Sequence, residues 1–110
     1  MARKFGIKRQ EAFNKKVEKI VLSAGAKEVE CSHAKQFNIK TQAGKLRITL
    51  HNPSPSELFS VFTQFEEPEK ANKMFPHASI NPYSGKMNFH MSGEQDALDA
   101  ITETLTDIKL

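Results

Sequence analysis

The sequence predicts an α+β protein built as a two-layer sandwich: an antiparallel sheet of four to six strands with N- and C-terminal helices packed on one face. Three observations carry that prediction. Apolar residues recur at three- and four-residue steps near both ends of the chain, the period of a helix with one buried side. Between those ends they alternate with polar residues, the period of a strand with one buried face. The length of 110 residues suits one domain, 1–110, with a core that needs neither disulfides nor metals.

The first helix is expected from about Lys8 to Ala24. Phe13, Val17, Ile20 and Val21 form its apolar stripe, and Lys15, Lys16 and Lys19 occupy the other side. Gly25 is a natural stop, because glycine enters the left-handed conformation cheaply. Strands follow. In residues 28–32, Val29 and Cys31 alternate with polar neighbours, which turns the thiol toward the core as a small apolar group. Residues 36–41 and 45–51 alternate the same way, and the short 42–44 link reads as a hairpin turn.

After a loop at 52–56, residues 58–65 support two readings. Leu58, Val61, Phe62 and Phe65 have helical spacing, with Ser54 to Glu57 as a capping box. The aromatic and β-branched content instead favours a strand. Glu66, Glu67 and Pro68 read as a fresh helix start, so a strand at 58–65 followed by a helix at 68–75 is the preferred order. Residues 86–91 alternate again, and the turn Asn81-Pro82-Tyr83-Ser84-Gly85 would join them to a short strand around 78–80. A final helix from about Glu94 puts Leu98, Ile101, Leu105 and Ile108 on one face. That face serves the core, and its spacing would also suit a homodimer in place of a monomer.

Composition narrows the setting. Hydrophobic residues make up 38% and charged residues 26%, a globular balance. No apolar run reaches the roughly 18 residues of a membrane span, and the N-terminus lacks the apolar stretch of a secretory signal. Cys31 is the sole cysteine, which excludes an internal disulfide. A cytoplasmic protein with no membrane partner is the expectation. The net charge of +3 is unevenly spread: residues 1–20 carry a local +5 and residues 94–110 a local −4. Such a dipolar molecule steers partners toward one end, unless the two helix faces are merely solvated.

Strand alternation also predicts the uncovered sheet face. Asn38, Lys40, Arg47, Thr49, His51, Asn88 and His90 should lie there, with Leu58, Ser60 and Phe62 turned outward beside them. Cations and amides around an exposed ring are what a single-stranded nucleic acid requires, since bases stack on rings while phosphates meet cations. Lys40, Arg47, His51, Phe62, Asn88 and His90 are therefore the candidate partner-binding set on the sheet. A second candidate surface is the basic N-terminal arm, 1–8, and the first helix, with Arg3, Lys4, Lys8, Arg9, Lys15 and Lys16. The alternative is an ordinary solvated face, with Phe62 covered by a helix or loop.

Catalytic and metal signatures are not found. The four histidines have no recognised ligand spacing, and no second cysteine completes a site. Cys31 would need an adjacent base to act as a nucleophile, which His33 supplies only if the strand continues that far. Ser84-Gly85-Lys86 resembles the end of a phosphate-binding loop, but Ile80 stands where the first glycine should be. No catalytic residue, cofactor or metal is assigned, and a non-enzymatic protein is expected.

Residues 45–51, 81–90 and the intervening 62–71 together resemble small uncharacterised proteins of phages and other mobile elements. Those proteins often carry an aromatic where this chain has Met87. The resemblance implies an accessory protein that inhibits or modulates a host macromolecule such as a defence factor, acting in the host cytoplasm. Between a host protein and nucleic acid as partner, the small net charge and the acidic C-terminal helix favour a protein. A small nucleic-acid-binding module is the alternative.

Overall fold

A computed structural model describes residues 4–32 and 34–108. Helix α1 (Ile7–Ser23) is followed by strands β1 (Lys27–Val29), β2 (Ala34–Thr41), β3 (Gly44–His51) and β4 (Phe59–Phe65). Helix α2 (Pro68–Met74), strand β5 (Phe89–Met91) and helix α3 (Glu94–Ile108) complete the order. The strands form one five-stranded sheet in sequence order, antiparallel at every pairing. No described helix is long and apolar enough to cross a membrane.

Alternation decides which face is covered. Phe37 and Ile39 of β2, Leu46, Ile48 and Leu50 of β3, and Phe59, Val61 and Phe65 of β4 are buried. They share one core with Phe13, Val17 and Val21 of α1 and with Leu98, Ile101, Leu105 and Ile108 of α3. The α3 stripe is thus consumed by the sheet. The segment 58–65 is a strand and α2 starts at Pro68, as propensity favours. A strand here keeps four of its aromatic or β-branched residues, Phe59, Val61, Thr63 and Phe65, on the covered side.

Phe59 anchors the N-terminal end. Its ring stacks on Phe5 at 4.4 Å and lies 4.9 Å from Phe13. Phe5 also bridges to Ser56, with backbone hydrogen bonds in both directions. The described part of the segment read as a basic arm, from Lys4 onward, is therefore tied to the fold, and Ile7 and Lys8 are already helical.

Two local expectations are corrected. β1 ends at Val29, and Cys31 beyond it is exposed rather than turned to the core. The strand around 78–80 does not form, because Ser79 adopts a positive φ of 45° that breaks extended backbone. Asn72 Nδ2 donates to Ile80 O at 2.8 Å, holding that segment against α2. Residues 86–91 run beside β4 instead, through the Gln64–Lys86 bridge and the β4–β5 ladder.

Candidate functional site

With α1 and α3 on one side, the other side of the sheet remains open. Register places its residues in rows across the strands. Gln36 pairs with Thr49, and Thr49 with Phe62; Asn38 pairs with Arg47, and Arg47 with Gln64. Lys40 faces Lys45, and Ser60 faces His90. These side chains are exposed or half-buried, while Phe37, Ile39, Leu46, Ile48, Leu50, Phe59, Val61, Thr63 and Phe65 between them are buried. Asn88, just before β5, and His90 of β5 join them.

The rows line a continuous shallow furrow of three adjoining hollows. One of about 520 Å³ lies between Lys45, Arg47, Gln64, Glu66 and Tyr83. The next, about 440 Å³, shares Gln36, Arg47 and Gln64 with it and adds Thr49, His51, Phe62, Lys86 and Asn88. The third, about 410 Å³, shares His51 and Phe62 and ends at Pro53 and Leu58. Charge along the furrow is one-sided: Lys45, Arg47 and Lys86 face a single lining carboxylate, Glu66. Arg47 is bonded to a neutral acceptor, the Gln64 side-chain oxygen at 2.6 Å.

Phe62 sits at the centre and is half-buried. Its ring meets His51 edge-on at 4.6 Å and His90 at 5.4 Å, an aromatic ladder over three strands. A base cannot use the whole ring as a platform, because histidines already engage it. The wholly exposed aromatic is Tyr83, at 91%. Asn88 has a structural duty as well: its Oδ1 accepts the Thr63 backbone N–H at 3.0 Å, while Thr63 Oγ1 donates to Met87 O. That pair stitches the irregular segment before β5 to β4.

The basic helix is electrostatically different. Glu94 at the start of α3 receives both Lys16 Nζ at 2.9 Å and Arg9 at 3.4 Å. Lys15 lies 3.8 Å from Glu11 on the same helix. Of that second candidate set, Lys4 and Lys8 carry no ion pair among the described residues, and Arg3 lies outside them. The candidate cations therefore split into a sheet group whose charge is available and a helix group whose charge is largely answered.

Ser60 Oγ lies 2.9 Å from His90 Nδ1, the spacing at which a histidine can accept a hydroxyl proton. The ring's other neighbour is Phe62, and no carboxylate bonds to His90 among the described residues. His33 is outside the described residues. No group of three or more potential metal ligands gathers among the described residues.

Sequence reasoning placed Lys40, Arg47, His51, Phe62, Asn88 and His90 on this face, and the fold brings them to one side of the sheet. It passed over Gln36, Lys45 and Gln64, which share their period-two parity, and over Tyr83 and Lys86 of the 81–86 turn. Parity alone could have found the first three. Compared with family models, curated proteins and solved structures, the chain matches none.

Proposed function

We propose that the chain is a non-enzymatic accessory protein of a phage or mobile element, which binds a negatively charged host macromolecule on its open sheet face in the cytoplasm. The observation that supports this reading is the furrow: continuous, uncovered and lined by three cations against one acid. The α1 surface is the weaker candidate, because three of its cations, Arg9, Lys15 and Lys16, are already paired with Glu94 and Glu11. Binding there would break ion pairs before making new ones.

The sequence-level objection to nucleic acid loses its force in this geometry. The acidic residues of the last helix belong to the layer behind the sheet, and none of them lines the furrow. Their field at the open face is weakened by distance and salt. A host protein with an acidic patch is the second reading, favoured by the apolar end of the furrow at Pro53, Leu58 and Phe62.

Retention of host components by the tagged protein tests the proposal. Wild type and Arg47→Glu would be compared on host lysate, with and without nuclease, over a salt series. A retained macromolecule lost with Arg47→Glu supports the open face as the contact surface. Retention that ignores Arg47→Glu but is lost with Lys8→Glu would move the site to the helix and sink the proposal.

A further inference from the structure

We infer that the occupant of the furrow is single-stranded nucleic acid, with one base stacked on Tyr83 and neighbouring phosphates met by Lys45, Arg47 and Lys86. The inference rests on the reading of the open face as the contact surface.

Tyr83 carries the argument because it is both exposed and rigidly presented. A large ring left 91% in water gains nothing for the fold, so burial does not account for its place. Its turn, however, is tightly built. Asn81 Oδ1 accepts the backbone N–H groups of Tyr83 at 2.8 Å and Ser84 at 3.0 Å. Asn81 and Lys86 close the turn through Asn81 N–H to Lys86 O at 3.1 Å, and Gly85 N–H donates to Asn81 O at 2.8 Å. The turn is fastened to β4 by Gln64 Nε2 donating to Ser84 O at 2.8 Å and by Phe65 N–H donating to Gly85 O at 2.9 Å. With the backbone beneath the ring held this way, only the two side-chain torsions of Tyr83 are left to be fixed when a flat partner stacks on it, and pre-organisation of that kind turns contact into affinity.

The surroundings identify the flat partner. Tyr83 borders the hollow that holds Lys45, Arg47 and Gln64, and Lys86 follows three residues later along the same furrow. Cations meet phosphates, while the amides of Gln36, Asn38 and Gln64 can reach the edges of unpaired bases. A protein partner would instead need a desolvated apolar anchor at the middle of its interface. Here the middle hollow is lined mostly by polar residues, with Arg47, Thr49 and Gln64 among them, and its phenyl ring, Phe62, is half-buried and engaged by His51 and His90. Base stacking requires an unpaired strand, so the duplex is the poorer ligand.

Fluorescence anisotropy with a labelled oligothymidylate or oligouridylate of about 15 nucleotides tests this, against a duplex of the same length. Wild type should prefer the single strand. Tyr83→Ala should weaken binding by about 10- to 100-fold, the range for loss of one stacked base, and Tyr83→Phe should retain most of it. With the three furrow cations engaged, affinity should fall by about 20-fold between about 50 and 200 mM salt. Arg47→Gln should lower that log–log slope by about 0.7, and Lys19→Ala on α1 should leave it unchanged. Equal affinity of Tyr83→Ala and wild type, or no binding of any oligonucleotide at low salt, overturns the inference. If oligonucleotides fail while a nuclease-resistant host protein is retained and lost with Arg47→Glu, the occupant is protein and the open face still stands. If Arg47→Glu changes neither assay, both readings fall together.

Discussion

Gly85 is the position at which the rigidity of the Tyr83 turn can be measured. Its φ is +76°, and a Cβ there would lie 2.6 Å from Phe65 O and 3.2 Å from both Phe65 N and Pro68 Cγ. The left-handed conformation costs a residue with a Cβ about 1–2 kcal/mol. The collision adds about 1–3 kcal/mol of overpacking, because the nearest atoms are backbone of a central strand and cannot rotate away. Gly85→Ala should therefore destabilise by about 2–5 kcal/mol in total. Gly25 supplies the internal control: its φ is +95°, yet nothing lies within 4 Å of a Cβ built there. Gly25→Ala should cost only the conformational part, about 1–2 kcal/mol. Urea unfolding followed by circular dichroism reads both, and a loss of about 3 kcal/mol moves the midpoint by roughly 1–3 M. Equal midpoints for the two variants would refute the reasoning. The turn would then not be braced against β4, and Tyr83 would lose its claim to rigid presentation.

Three other perturbations test other links. Phe59→Ala removes a fully buried ring that Phe5 and Phe13 both contact; thermal or urea unfolding should show a loss of about 3–5 kcal/mol. Asn88→Ala deprives the Thr63 N–H of its acceptor at 3.0 Å, and should cost about 1–3 kcal/mol in the same assay. A neutral result there would mean that water replaces the side chain. Glu94→Gln weakens the contacts to Lys16 and Arg9, whose side chains are 57% and 58% exposed. Stability should change by less than about 1 kcal/mol, and a larger loss would show that the α1–α3 junction depends on charge more than on its apolar stripe.

Periodicity made most of the architecture legible. Phe13, Val17 and Val21 at the start, and Leu98, Ile101, Leu105 and Ile108 at the end, repeat at helical steps and pack where that period sends them. Leu46, Ile48 and Leu50 alternate without interruption, so β3 and its open-face partners Arg47, Thr49 and His51 were readable from parity. Where the pattern thins, the reading failed. Val29 and Cys31 are too few to define a strand, and β1 stops before the thiol. Ala78 to Ile80 looked extended, but Asn72 and the positive φ of Ser79 hold that segment to α2.

The sequence by itself determined the α+β class, the covered and open faces of the sheet, and the placement of six candidate residues on one of them. Those follow from local periods, which a side chain obeys whatever its distant neighbours do. Tertiary structure decided which charges are available. Arg9 and Glu94 are 85 residues apart in the chain, and no local pattern reveals that α3 delivers an acid to the basic helix. The same holds for the furrow, whose walls come from β2, β3, β4 and the 81–86 turn. It exists only once antiparallel pairing sets Arg47 beside Gln64 and the turn is fastened to the strand that carries both Gln64 and Phe65.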